Sequence, residues 1–393
     1  MRRFQICRSL KLVVIAYVLY GGAGCQSVAP PSQETVPSTD PVFEAVPGVS
    51  RSKDIQDLFG QPRSKPYGER LWEYQWEHPT FLGATHVSAE FTFGAGGVLE
   101  KFRYHQRTGA GLPFASGKSV SRKEALAFTP GKAKLHELLA RFGQPNIVVR
   151  SAGEYIVAYD YVSMDSVLRA AFQLGPDGRV QSILHTDAHM SIDLLGAQFR
   201  AGRAPSTEEA MRVTPGVTSY SDLVGRLGDP PHVLVRRDGT QGIYQGSTVS
   251  LRDGAQIESW LVATADATGR VTRVVWLNGA SSCEPRELAA KTQALVGAER
   301  PSREQVLERM GPPAGLVRDE YTEEWVYIET RVAPVAPAKL SILRFRKSGN
   351  STSYFLTFSP AGTVQTVDTQ EGHNWLQEAS EQYLPARVVG YWY

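Results

Sequence analysis

Residues able to do chemistry are few and widely spaced in this chain of 393 residues. Gly111 to Ser119 (GLPFASGKS) approaches a phosphate-binding loop, in which Gly, four residues and Gly-Lys-Ser/Thr let backbone amides cradle phosphate. Here five residues separate Gly111 from Gly117, and the preceding segment is polar, so a linker is expected. His185-Thr186-Asp187-Ala188-His189 would place two imidazoles on one face of an extended strand, as a metal site needs. No third ligand is specified, so the segment is read as a surface strand end. The other histidines (His78, His86, His105, His136, His232, His373) are scattered. No Gly-x-Ser-x-Gly or Cys-x-x-Cys occurs. Trp72, Tyr74 and Trp76 alternate with Glu73, Gln75 and Glu77, which favours a core face over an exposed ligand shelf. The expectation is a protein that is not an enzyme, with no catalytic residue, no cofactor and no bound metal.

The N-terminus points to export. Arg2, Arg3, Arg8 and Lys11 precede the apolar run Leu12 to Tyr20, which is too short for a spanning helix of about 20 apolar residues. Small residues and then Cys25 follow. Gly22-Ala23-Gly24-Cys25 resembles a lipobox, with Gly22 where an aliphatic residue is usual. That resemblance implies a signal peptide over 1–24 and a lipidated Cys25. Residues 25–41 then read as a Pro-, Ser- and Thr-rich flexible tether. Gln26, rather than Asp, after the Cys implies the outer membrane by the same resemblance. Cys7 lies in the signal and Cys283 stands alone, so the exported body has no internal disulfide pair. The whole chain carries 42 Lys and Arg against 40 Asp and Glu. Without the signal this balance turns slightly acidic, which gives no reason to expect nucleic acid as a partner.

A pattern recurs four times. Gly-x-Pro appears at Gly60, Gly143, Gly228 and Gly311, at nearly even intervals. Before each lies a short helical pattern: Ile55, Leu58 and Phe59; Leu135, Leu138, Leu139 and Phe142; Tyr220, Leu223, Val224 and Leu227; Val306, Leu307 and Met310. Gly followed by Pro suits a helix end with a left-handed cap. Pro47-Gly48, Pro130-Gly131 and Pro215-Gly216 make a turn into the helix in the first three copies. After each Gly-x-Pro comes an aromatic strand, then a hairpin whose turn closes on Gly97, Gly178, Gly269 or Gly362. Each copy therefore reads helix, helix, strand, strand, strand. The expected fold class is α+β, four tandem two-layer ααβββ repeats over 42–106, 120–190, 205–279 and 284–370, with a C-terminal tail over 371–393.

Leu58-Phe59-Gly60-Gln61-Pro62, Leu71-Trp72-Glu73-Tyr74, Phe91-Thr92-Phe93 and Gly97-Val98-Leu99 together resemble the SmpA/OmlA (BamE-like) outer-membrane lipoprotein domain. The same ααβββ unit, doubled, makes the β-lactamase inhibitor protein. The resemblance implies a non-enzymatic scaffold, lipid-anchored in the outer membrane and facing the periplasm. Its partners would be proteins, with the outer-membrane assembly machinery among the candidates. The alternative is a proteinaceous enzyme inhibitor of the β-lactamase-inhibitor type. The expected partner-binding residues lie in what the copies do not share. They are Tyr391, Trp392 and Tyr393 of the tail, and the Pro-rich insertion Thr330 to Lys339.

Overall fold

The computed structural model describes residues 40–80, 83–110, 116–163, 166–193, 198–202, 205–250, 256–278, 285–296, 300–330, 351–372 and 375–384. Cys25, Cys283, residues 331–339 and Tyr391 to Tyr393 lie outside these.

Each Gly-x-Pro ends an eight-residue helix: Ser52–Phe59, Leu135–Phe142, Tyr220–Leu227 and Arg303–Met310. The closing glycines have φ of 76°, 70°, 81° and 75°. Their ψ is extended (−156°, −157°, 179° and −170°), so this is not the left-handed helical cap expected from sequence. Positive φ with extended ψ is open essentially to Gly alone, and it feeds the chain straight into the Pro. A tyrosine hydroxyl secures each end. Tyr74, Tyr159, Tyr244 and Tyr327 donate to the carbonyls of Gly60, Gly143, Gly228 and Gly311 at 3.1, 2.7, 2.9 and 2.9 Å.

The Pro-Gly turns do more than lead into helices. The amides of Gly48, Gly131 and Gly216 donate to Leu99, Val180 and Val271, the first residues of strands that follow the hairpins. Residues at the helix starts also form isolated bridges to the hairpin ends, as in Lys134↔Arg179 and Ser219↔Arg270. Each helix is thereby strapped to its own hairpin.

The strands do not stay within separate units, and this corrects the expected architecture. The described residues form one 17-stranded antiparallel sheet. The first segment gives β1 (Leu71–Thr80), β2 (Gly83–Phe93) and β3 (Leu99–Ala110). The second gives β4 (Ser116–Gly117), β5 (Ile147–Ser151), β6 (Tyr155–Val162), β7 (Ser166–Leu174) and β8 (Val180–Asp193). The third gives β9 (Gln198–Gly202), β10 (His232–Arg236), β11 (Gly239–Ser250), β12 (Gln256–Asp266) and β13 (Val271–Asn278). The fourth gives β14 (Gly315–Asp319), β15 (Glu323–Thr330), β16 (Ser351–Phe358) and β17 (Val364–Glu371).

Apart from the short β4 and β9, every strand pairs with the next in chain order, through β3–β5, β8–β10 and β13–β14 at the three joints. The sequence pattern lacked β5, β10 and β14. They begin two residues after the Pro, and their apolar runs (Ile147-Val148-Val149, Val233-Leu234-Val235, Leu316-Val317) do not alternate, because both of their faces are largely covered. These three strands weld the four segments into one sheet, so the ααβββ repeats do not exist as separate two-layer units.

On one face the helices cover Leu261, Ala263, Val274, Trp276, Trp325 and Leu356 with Leu223, Val306 and Met310. On the other face of the third and fourth segments lie Ile243, Trp260, Val262 and Val275, packed with Trp375 and Ala379 of helix Trp375–Tyr383. A Cβ on Gly315 would sit 1.9 Å from the Trp375 ring, so this helix presses directly on the sheet. The expected tail is thus helical at its start. Among the described residues, no helix is long and apolar enough to cross a membrane.

Candidate interaction surface

The outer face of β1–β3 differs from the rest of the sheet. Phe59 packs against Tyr74, Trp76 and Phe91 on the helix side, with ring centroids 5.9, 6.2 and 5.0 Å away. The aromatic stripe is therefore core. Opposite it, strand register aligns three polar rows: Glu73, Glu90 and Arg103; Gln75, Ser88 and His105; Glu77, His86 and Arg107. Gln75, Glu77, His86, Ser88, Glu90, Arg103 and Arg107 are exposed. Two of the rows run from acid on β1 to arginine on β3, and His86 Nδ1 stands 3.9 Å from Glu77 Oε1. The adjoining loop adds Arg63, which donates to Gln75 Oε1 at 2.5 Å, and Ser64, which donates to Glu73 Oε2 at 2.5 Å. Such a face offers hydrogen bonds and ion pairs over a rigid grid, the chemistry of a polar protein interface.

The grid runs into a buried polar seam on the same face. Asp160, Arg169, Thr186 and His232 stand directly opposite one another across β6, β7, β8 and β10. Asp160 and Arg169 form a bidentate pair at 2.9 and 3.0 Å. His232 Nε2 lies 3.1 Å from Gln245 Oε1, and Thr186 Oγ1 lies 3.0 Å from His232 Nδ1. Gln Oε1 only accepts, so Nε2 carries a proton, and the Thr186 hydroxyl can donate to a neutral Nδ1. The imidazole stacks on the Trp260 ring 6.2 Å away. Burial lowers the His232 pKa to about 4. Burial also lowers those of His185 and His105.

Arginines clamp two of the joints. Arg150 Nη1 donates to the carbonyls of Phe43 and Ala45 at 3.5 and 3.2 Å, and its guanidinium lies 4.5 Å from the Tyr155 ring centroid. Arg318 Nη1 donates to Met211 and Val213 at 2.9 and 3.2 Å, and its Nη2 pairs with Glu323. In the strand register Arg150 faces Phe102 and Arg318 faces Val274, but at the middle joint Val235 faces Ile183. There Arg122 serves instead, donating to the Pro230 carbonyl at 2.6 Å. A groove of about 520 Å³ opens at the other end of β10, lined in part by Pro130, Lys132, Arg236, Arg237 and Asp266.

The sequence candidates fare unevenly. Cys25, Tyr391, Trp392 and Tyr393 lie outside the described residues. His185 is not at a surface strand end. It is fully buried, with Nε2 3.0 Å from the Val120 carbonyl. His189 is exposed on the same strand, 3.3 Å from Asp187. Among the described residues, no group of three His, Cys, Asp or Glu side chains is placed to hold a metal. The loop-like Gly111–Ser119 segment is partly strand. A Cβ on Gly117 would sit 1.8 Å from the Asp160 carbonyl oxygen, and the Lys118 ammonium lies over the Tyr159 ring. Sequence reading missed the grid, the seam and the arginines. The alternation of Glu73, Gln75 and Glu77 was the one visible signal for the grid.

No family model, curated protein or solved structure matches the chain. The SmpA/OmlA resemblance gains no support from them.

Proposed function

We propose that this chain is a non-enzymatic outer-membrane lipoprotein, anchored at Cys25, that works from the periplasmic side as a protein-binding scaffold in outer-membrane protein assembly or envelope integrity. The observation that carries the binding part is the polar grid on β1–β3. It is an exposed face at one end of a long sheet whose middle strands are buried on both faces. A rigid sheet holds such a grid at little entropic cost on binding. The anchoring part rests on the basic, apolar and small-residue run that ends at Cys25. A single acyl chain binds membranes only marginally, so stable anchoring needs more than one chain on the modified Cys.

Two measurements test the proposal. A photoreactive residue at Ser88 of the full chain in cells should give protein adducts. The same residue at the exposed Gln293, on helix Pro285–Val296, should not. No adduct at Ser88, or equal adducts at both, overturns the binding surface. Cys25→Ala should abolish fatty-acid labelling and release the chain from the membrane fraction, and a mutant labelled like the wild type overturns the anchor.

A further inference from the structure

The three joints share one rule of strand capture. At each, the last strand of a segment receives a new strand that begins just after a Gly-x-Pro. The amides of Gln106, Asp187 and Asn278 donate to the carbonyls of Asn146, Pro231 and Ala314 at 2.7 Å each. Those acceptors directly follow Pro145, Pro230 and Pro313. From there the register runs the same way: Tyr104↔Val148 and Phe102↔Arg150; His185↔Val233 and Ile183↔Val235; Trp276↔Leu316 and Val274↔Arg318. The captured strand thus reads Pro-x-x, two branched aliphatics, then Arg at two joints and Val at the third.

β17 is the last strand of the fourth segment. Val367, Thr369 and Glu371 occupy the places of Phe102, Tyr104 and Gln106, counted from the same bulge after the hairpin. Their amides and carbonyls therefore point away from β16. Among the described residues β17 pairs with β16 alone. Val367 is half-buried against the core, and Thr366, Asp368, Thr369, Gln370 and Glu371 are exposed.

We infer that the outer edge of β17 is a docking site for an extended segment of another protein, added antiparallel, with the form Pro-x-x, two branched aliphatics and Arg. This rests on the reading of the chain as a protein-binding scaffold and says where and how one partner is held. Strand addition of this kind takes affinity from main-chain hydrogen bonds and specificity from alternate side chains. The arginine has a place to go. Arg150 and Arg318 reach carbonyls eight and six residues before Arg51 and Ser219, which precede the helices. Counting back equally from Ser302 reaches Ala294 and Val296, in the last turn of helix Pro285–Val296. Carbonyls at a helix C-terminus lack partners within the helix and favour a cation. A second copy does not fit head to tail. The outer edge of β1 already bridges through Ser64↔Glu73, and Pro79 has no amide hydrogen to offer.

The test uses the full chain and a labelled peptide with the sequence of Pro145 to Ser151 (PNIVVRS). The peptide should bind. N-methylation at the residue matching Val148, which leaves the protein untouched, should weaken binding at least about tenfold, as should Arg→Ala in the peptide. Thr369→Pro removes only an outward amide, so it should abolish binding with an unchanged melting temperature. No binding, or binding indifferent to N-methylation and to Thr369→Pro, overturns the site. Self-association of the chain that Thr369→Pro abolishes would make the occupant a second copy, and peptide binding that appears only on deletion of Pro385 to Tyr393, which holds the same Pro-x-x-Val-Val pattern, would make it the chain's own tail; either overturns the assigned partner. Adducts at Ser88 without peptide binding would fell only the β17 site. Peptide binding without adducts at Ser88 would fell the grid and leave the edge standing.

Discussion

The outer joints and the middle joint solve one problem in different ways. Each must hold a strand of one segment on the sheet of the segment before it. At the third-to-fourth joint, Arg318 reaches two backbone carbonyls and pairs with the buried Glu323, which also pairs with Arg303 and accepts from Trp325 Nε1 at 2.8 Å. At the first-to-second joint, Arg150 makes the same carbonyl contacts and stacks on Tyr155. The middle joint has Val235 in that register and a buried polar seam in which His232 meets Thr186 and Gln245, in line with the Asp160–Arg169 pair. Shared backbone geometry therefore tolerates three chemistries: a buried ion pair, a stacked cation and a proton-sensitive histidine. Strand pairing builds the joint, and the side chains set how it responds to substitution and to pH.

The largest effect is expected from the buried ion pair. Arg318→Ala leaves Glu323, 4% exposed, with one cation fewer and strips two carbonyls of their donor. Breaking a buried pair costs about 3–5 kcal/mol. Arg150→Ala removes no buried charge partner and should cost less, about 1.5–3 kcal/mol, the loss of carbonyl hydrogen bonds from a charged group. Denaturant unfolding of the two variants measures the gap, and equal losses would remove the distinction between the outer joints.

The middle joint should be the acid-sensitive one. His232 is neutral in the folded chain, with a pKa of about 4 against an ordinary value of 6.5. The unfolded chain binds a proton there between these values and the folded chain does not. Stability from this group is therefore complete above about pH 6.5 and falls until about pH 4. A shift of that size corresponds to about 3 kcal/mol. His185 and His105 are shifted the same way and add to the slope. His232→Gln should flatten the loss between pH 6.5 and 4, as read by melting temperature against pH. An unchanged slope would place the acid sensitivity elsewhere.

The smallest effect is expected where the segments agree. Tyr244→Phe removes the hydroxyl that holds the Gly228 carbonyl, and should cost about 1 kcal/mol. The same change at Tyr74, Tyr159 or Tyr327 should cost the same within a few tenths, since the contact is common to all four. A much larger loss at one of them would show that the shared helix ends do not bear load equally.

What the sequence determined by itself is local. Gly-x-Pro stops each helix because few other residues adopt that φ and ψ and Pro cannot continue the turn. Gly97, Gly178, Gly269 and Gly362 close hairpins at positive φ. The alternation of Trp72, Tyr74 and Trp76 with polar residues marks a strand covered on one side. Tertiary structure decided how the pieces join. Ile147 to Val149 carries no alternation to mark it as a strand, and its partner on β3 lies more than forty residues earlier in the chain. Nothing local separates a short apolar run that seals its own unit from one that pairs with the unit before. Likewise, neither Arg150 nor Arg318 is distinguishable in sequence from a solvated arginine. Their meaning depends on carbonyls more than a hundred residues away, brought within reach only once the sheet has formed.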